Sequence, residues 1–481
     1  MSELKEKTVK SMIWNALDSF SIQGVQFLVM LFMARLLSPG DYGLVGMAAI
    51  FIAVSNSLID SGFSQALIRK QERTEVDKST VFYFNIVVGV LLYFIAFVSA
   101  PLVADFYKMP LLTDVIRVLC VVFFLNSLCV VQRAEFTSRL DFKSLMKASS
   151  IGAVVSGIAG VLMAWAGYGV WALVGQQIAS AFITMVLLWK MSDWRPIKAF
   201  SWASFREMFS FGSKLMLSGL INTIYKEIYP IVIGKLFSAP DLGHYNRAKH
   251  FAQFPSTNLT NIMHRVSYPV LCQIQNEEER LRTLYRKFLN LAAFVVFPLM
   301  MGLSALAIPL TNVLIGEKWL FCAQILQVVC FAMMWYPIHA INLNLLQVKG
   351  RSDLFLNLEI IKKILGVSML FLTAPYGIIV MCYGQIVNSL LSLIINTYFT
   401  GKLIDFGFFK QMKDYFPTLL LGLMMFSAVW GLTFIIENQY IVLVVGGLLG
   451  AAIYIGGSVL FRFSELQDIK DLLIKRGKKN E

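Results

Sequence analysis

Two stretches of this 481-residue chain carry cations and amides at spacings that a helix would align. In the first, Lys214, Ser218, Asn222 and Tyr225 recur every three or four residues, with Lys226 and Glu227 beside them. In the second, Arg247, His250, Asn258, Asn261 and Arg265 fall within one face at about 100° per residue. Lys249 points elsewhere, and His264 adjoins the end of the row. At 1.5 Å per residue this second stripe is about 27 Å long. Pro255 interrupts it and withholds one backbone N–H, which frees a carbonyl for other partners. A third row, Asn15, Asp18, Ser19, Gln23 and Gln26, is nearly free of charge. Lysine and arginine in such rows suit phosphate-like anions, and Asn, Gln and Tyr suit hydroxyl groups. Asp18 and Asp60 are the candidate sites for a coupling proton or sodium ion. The competing reading is structural: charged pairs between helices, with Arg247 and Arg265 reaching for the interface at the two ends.

No catalytic constellation accompanies these rows. The chain lacks a P-loop, H-E-x-x-H and G-x-S-x-G, so neither ATP nor a catalytic metal has a recognisable site, and no cofactor is expected. Its six cysteines lie mostly within apolar runs and show no metal-ligand spacing.

The elements that must position these residues are membrane spans. Hydrophobic residues make up 57% of the chain, charged residues only 15%, and mean hydropathy is +0.67. A soluble domain carries about 25% charge. Runs near the ~20 residues that cross a bilayer recur from end to end. They predict an all-α polytopic membrane protein of about 14 transmembrane helices, over residues 12–36, 42–67, 80–104, 111–132, 146–166, 168–189, 209–236, 241–268, 288–315, 319–347, 354–374, 376–399, 415–436 and 440–461. The short charged start leads straight into the first run without a small-residue cleavage site, so an uncleaved first span is expected. The two polar rows fall on helices 7 and 8.

Lysine and arginine alternate between successive loops. They crowd the start (Lys5, Lys7, Lys10), loop 2–3 (Arg69, Lys70, Arg73, Lys78), loop 4–5 (Arg133, Arg139, Lys143, Lys147) and loop 6–7 (Lys190, Arg195, Lys198, Arg206). The alternation continues through loops 8–9, 10–11 and 12–13 and the tail, while the intervening loops hold almost none. That asymmetry predicts both termini on the cytoplasmic side. It also accounts for most of the net charge of +13, which faces anionic membrane lipids and not nucleic acid. In the tail, Leu466, Ile469, Leu472 and Leu473 share one face and suit a helix lying on the membrane surface.

The chain also repeats itself. RLLSPGDYG from Arg35 to Gly43 returns as KLFSAPDLG from Lys235 to Gly243. GYGVWALVGQQI from Gly167 returns as PYGIIVMCYGQI from Pro375. Helices 1–6 therefore match helices 7–12, and helices 13 and 14 are an addition. An even number of spans per copy keeps both copies in one orientation, a parallel repeat. The expected organisation is an N-terminal six-helix lobe over 1–200, a C-terminal six-helix lobe over 201–405, and two further helices with a basic tail over 406–481. Helices 1, 2, 7 and 8 would then meet at the pseudo-symmetry axis.

Three strings sharpen this: ARLLSPGDYG with LIDSGFSQALI from Ala34 to Ile68, QRAEFTSRLDFKSL from Gln132 to Leu145, and GEKWLFCAQILQ from Gly316 to Gln327. With the two-times-six-plus-two plan, they resemble the polysaccharide transporter family of Wzx-type flippases, in the superfamily that includes MATE exporters and the lipid II flippase. The resemblance implies translocation of undecaprenyl-diphosphate-linked oligosaccharides across the bacterial inner membrane by alternating access. A polysaccharide polymerase and a chain-length regulator are the further partners it implies. Lys214, Asn222, Lys226, Arg247, His250, Asn258, Asn261 and Arg265 would line the cavity for the headgroup. The first rival is a MATE-like, ion-coupled multidrug exporter, which calls for an acidic cavity, whereas cations outnumber acids on helices 7 and 8. The second is a membrane polysaccharide polymerase or ligase, for which the external loops are too short.

Overall fold

The computed structural model describes residues 24–60, 62–70 and 72–468. Every element is a helix, and no strand occurs among the described residues. A helix or broken helix lies over each predicted segment. In chain order these are α1 (Gly24–Leu36), α2 (Pro39–Asp60), α3 (Phe63–Arg69), α4 (Glu75–Tyr107), α5 (Leu111–Leu119), α6 (Val121–Ser127), α7 (Val130–Ser138), α8 (Phe142–Trp165), α9 (Val170–Met191) and α10 (Trp202–Leu236). There follow α11 (Ala239–Gln273), α12 (Glu278–Ala305), α13 (Ala307–Leu314), α14 (Leu320–Met333), α15 (Tyr336–Val348), α16 (Ser352–Thr373), α17 (Ile378–Ile404), α18 (Phe408–Ile435) and α19 (Gln439–Leu460).

Nine spans among the described residues are long and apolar enough to cross a membrane. The fourth predicted segment supplies a tenth as a broken span, bent by 42° between Leu111–Ser127 and Val130–Ser138. The long helices outside that count, α10, α11 and α16, carry ionisable groups in their middle turns, where the counted spans carry theirs near the ends. The first span is described only from Gly24, and the tail is helical over 464–468. Asp18 and the remainder of the tail, including Ile469, Leu472 and Leu473, lie outside the described residues.

Packing divides the chain into one unit over Met1–Gly243 and another over His244–Glu481. α10 packs with the first unit, against α2, α3 and α4. Local chemistry explains this. The backbone N–H groups of Ile197 and Ser201 donate to the hydroxyls of Ser79 and Thr80, both at 3.0 Å. Lys70 then bridges Asp77 of α4 and Glu207 of α10, at 3.1 Å each. The connection from α9 is thus held on the start of α4, and α10 starts from that hold.

Both copies of the repeated string act as helix starts. Ser38 accepts from the Asp41 N–H at 3.2 Å while Asp41 accepts from the Ser38 N–H at 2.9 Å, a reciprocal cap for α2. Ser238 and Asp241 repeat it for α11 at 3.2 and 3.1 Å. The two starts also cross each other. A Cβ on Gly43 would overlap the Ala239 carbonyl, and a Cβ on Gly243 would overlap the carbonyl of Pro39. Those positions correspond under the 200-residue offset, so the contact is two-fold symmetric. Gly62 and Gly212 make a second close approach, between the start of α3 and α10.

In the second unit α12 is the hub, packed on α14, α15 and α18. Phe297 meets Trp335 and Tyr415 with ring centroids 5.0 and 6.3 Å apart. The added helices α18 and α19 belong here. Tyr454 donates to the Phe294 carbonyl at 2.7 Å, and Arg286 pairs with Asp414 at 2.6 Å.

These contacts also test the loop alternation inside each unit. In the first, loops 2–3, 4–5 and 6–7 meet one another through Lys70, Lys78, Glu135 and Ser192. Lys235, from the sparse set of loops, instead donates to the Phe106 carbonyl at 2.6 Å at the other end of the helices. In the second, Arg282 lies 3.6 Å from Asp405, Lys287 pairs with Asp468 at 2.5 Å, and Lys349 donates to the Gln275 carbonyl at 2.9 Å. Each unit therefore has one basic end.

Candidate functional site

On α10, the packed positions lie near the two ends: Met208 and Gly212 early, Pro230, Val232, Ile233 and Gly234 late. The middle stands away from its unit. Lys214, Ser218, Asn222 and Lys226 are all exposed, one turn apart, and form a polar stripe about 18 Å long at 1.5 Å per residue. Tyr225 is half-buried beside it. Among the described residues, neither Lys214 nor Lys226 lies within ion-pair distance of a carboxylate.

On α11, within the second unit, Tyr245, Ala248, Phe251, Ala252, Ser256, Thr260, Ser267 and Leu271 form the packed face. Opposite them, His250, Thr257, Asn261, His264 and Arg265 are exposed. The predicted stripe therefore divides. His250, Asn261 and Arg265 occupy the open face, while Arg247 and Asn258 are half-buried on its flank. Asn258 turns its amide back to donate to the Phe254 carbonyl at 2.8 Å, so that N–H is taken up by its own helix. His264 stacks on Tyr268, with centroids 5.8 Å apart and planes 20° apart. Asp18 lies outside the described residues, as does the side chain of Asp60.

A polar row on α17 escaped the sequence reading. Gln385 donates to the Tyr245 hydroxyl at 3.0 Å, joining α17 to α11. Four residues on, Ser389 meets His339 Nε2 at 3.1 Å, and Asn396 meets His339 Nδ1 at 3.3 Å. The Asn396 amide donates, so Nδ1 is the acceptor and the ring proton sits on Nε2. The Ser389 hydroxyl accepts a hydrogen bond from that N–H and donates its own hydrogen to the Ala332 carbonyl at 3.1 Å. His339 is thus held by Ser389 on one ring nitrogen and by Asn396 on the other. The signal was available: Gln385, Ser389, Ser392 and Asn396 share a helical face, the same spacing that marked helices 7 and 8.

The string QRAEFTSRLDFKSL has a structural role. Glu135 is buried on α7 and accepts from Lys78 at 3.2 Å and Arg139 at 2.6 Å, with the Ser192 hydroxyl 3.5 Å away. Asp141 caps α8 by accepting from the Ser144 N–H at 3.1 Å. Three basic loops meet on Glu135. Glu135→Gln is expected to cost about 1–2 kcal/mol, because Lys78 loses its buried partner whereas Arg139 is largely exposed. Thermal unfolding in detergent checks this, and a midpoint equal to wild type would remove Glu135 from that role.

In GEKWLFCAQILQ, Gly316 adopts φ +98°, which favours glycine, and turns the chain so that Trp319 is buried against His244, centroids 5.5 Å apart. On α16, Lys362 pairs with Glu359 at 2.5 Å, the i, i+3 contact their spacing predicts. Arg117 lies over the Phe97 ring, 4.6 Å from its centroid.

A family model described as polysaccharide biosynthesis protein matches residues 32–324. The teichuronic acid biosynthesis protein TuaB of Bacillus subtilis is 24% identical over 434 residues, covering 89% of this chain and 90% of its own. The lipopolysaccharide biosynthesis protein WzxC of Escherichia coli is 25% identical over 401 residues, covering 82% and 81%. Among solved structures, the lipid II flippase MurJ in an inward closed conformation matches with a TM-score of 0.71 at 15% identity, covering 93% of this chain and 99% of that one.

Proposed function

This chain belongs to the polysaccharide biosynthesis protein family, and from that premise we propose that it is a flippase that carries lipid-linked oligosaccharides across a membrane. It is a transporter and not a catalyst. The cargo we propose is an undecaprenyl-diphosphate-linked repeat unit destined for a lipopolysaccharide, capsule or exopolysaccharide, moved across the bacterial inner membrane by alternating access. The basic ends of the helices face the cytoplasm in this reading, with both termini on that side.

The observation that carries the reading is the exposed stripe on α10. Lys214 and Lys226 sit on a helix in a membrane protein, on the side away from their own unit, with no carboxylate in reach among the described residues. Such charges are costly in a bilayer unless they line a watery path or meet a charged ligand. A diphosphate supplies the opposite charge, and the adjacent Asn222 supplies amide bonds for sugar hydroxyls. On α11, Arg247, His250, Asn258, Asn261 and Arg265 offer the same chemistry, with Asn258 keeping its carbonyl oxygen. The net cationic character opposes a cavity for cationic drugs.

The test replaces Lys214, Lys226 and Arg247 by glutamine, singly and together, in cells lacking the native copy. Each charge-assisted bond is worth roughly 1.5–3 kcal/mol, so single changes are expected to lower export of lipid-linked oligosaccharide by about tenfold. The triple change is expected to abolish it. Normal export from the triple variant at normal protein level would remove these residues from the path.

A further inference from the structure

At the basic end of the first unit, a groove of about 360 Å³ opens between Leu128 and the last turns of α9. Its walls are Met185, Val186 and the ring of Trp189, and Lys190 and Arg195 stand at its rim. The groove is built rather than incidental. Trp189 donates its indole N–H to the Leu128 carbonyl at 3.0 Å, which fixes the ring as a wall. Arg195 donates from one terminal nitrogen to the carbonyls of Ser192 and Trp194, at 2.6 and 2.7 Å. Its guanidinium lies 5.6 Å from the Trp189 ring centroid. That leaves its other nitrogens without a partner among the described residues, already aimed and at small further entropic cost. Lys190 is exposed. Among the described residues no carboxylate pairs with either cation.

α9 is one of the spans able to cross a membrane, and it ends at Met191. Lys190 and Arg195 therefore sit at the interface, while Met185 and Val186 reach one turn into the hydrocarbon. Tryptophan favours that same depth. A cationic rim over an apolar floor matches one molecule that membranes supply in bulk: a lipid with an anionic phosphate and no compensating amine. A neutral or zwitterionic lipid would leave one or both cations uncompensated.

We propose that this groove is a binding site for an anionic glycerophospholipid, with the phosphate between Lys190 and Arg195 and an acyl chain along Met185 and Val186 against Trp189. The site stands on the membrane-spanning reading of α9 and is independent of the cargo. Its ligand anchors the basic end of α9 beside the connection to α10.

Native mass spectrometry of the purified full chain, offered phosphatidylglycerol or phosphatidylcholine with matched acyl chains, tests this. The wild type is expected to retain phosphatidylglycerol at least fivefold over phosphatidylcholine. Lys190→Gln with Arg195→Gln is expected to bring the two lipids level, and Lys190→Gln alone, which breaks no protein contact, to halve the preference. Met185→Trp, which fills the groove, is expected to lower retention of both lipids. A control that neutralises two exposed basic-end lysines elsewhere, Lys147→Gln with Lys413→Gln, should keep the wild-type preference. An unchanged preference in the site variants, or an equal loss in the control, would overturn the assignment. Export plays no part in the readout, so loss of the transporter reading would leave the result standing.

Discussion

Replacing Gly43 by alanine is expected to destabilise the protein by about 3 kcal/mol, the upper end of ordinary overpacking costs, and to reduce export in parallel. The added methyl meets backbone, since its position overlaps the carbonyl of Ala239. A flexible side chain could turn away; a capped helix start cannot. Both starts here are held by reciprocal Ser–Asp caps, so relief requires α2 and α11 to separate at this crossing. Gly243→Ala should behave alike, because its methyl meets the carbonyl of Pro39 in the symmetric position. Gly40→Ala is the control. There a Cβ would find Ser38 Oγ at 3.6 Å and Pro240 Cγ at 3.7 Å, ordinary contacts. Thermal unfolding in detergent reads the three variants side by side. If Gly43→Ala unfolds where Gly40→Ala does, the crossing is not a tight backbone contact.

The second large effect is expected at Gln411, which is fully buried on α18. Its two amide hydrogens share three acceptors, Asn342 Oδ1 at 3.1 Å, Thr400 Oγ1 at 3.3 Å and the Phe406 carbonyl at 3.1 Å. Its carbonyl oxygen accepts from the Tyr415 hydroxyl at 3.1 Å and the Asn342 amide at 3.3 Å. Tyr285 closes the set by donating to Asn342 Oδ1 at 2.7 Å. Gln411 and Asn342 thus tie α12, α15, α17 and α18 together. Gln411→Leu keeps the bulk and strands several buried polar groups. The expected cost is about 3 kcal/mol, the sum of a few partly relieved desolvation penalties. The double variant Gln411→Leu with Asn342→Leu should cost less than the sum of the two single changes, because the most demanding partners leave together. Strict additivity in thermal unfolding would show that the two side chains do not share a network.

Much of the scaffold is legible in the sequence. Hydropathy marks the helical segments, including the fourth, but not its break at Leu128 and Cys129, where the run stays apolar. The loop charges found one basic end for each unit. Glu359 and Lys362 pair at the i, i+3 spacing that puts them on one helical face. Less of the candidate site was readable. Spacing placed Asn258 in a cationic row, but it could not show that its amide turns back onto Phe254. It passed over the row of Gln385, Ser389 and Asn396, because uncharged amides and hydroxyls barely lower the hydropathy of a span. Motif resemblance marked Glu135 without revealing that it gathers Lys78 and Arg139.

The sequence by itself determined the membrane class, the repeated strings, the alternation of basic and sparse loops and the membership of a polysaccharide biosynthesis family. Those properties depend on local composition and period, which a bilayer and a helix read directly. Only the tertiary structure decided that α10 packs with the first unit, that Gly43 and Gly243 meet through backbone, and that Arg195 and Trp189 frame one groove. Those contacts join residues far apart in the chain, and their side-chain directions depend on how each helix is rotated against its neighbours. Hydrophobic period constrains that rotation only to a broad face. The placing of individual hydrogen bonds and close approaches then falls to packing, where a single methyl group is enough to decide the outcome.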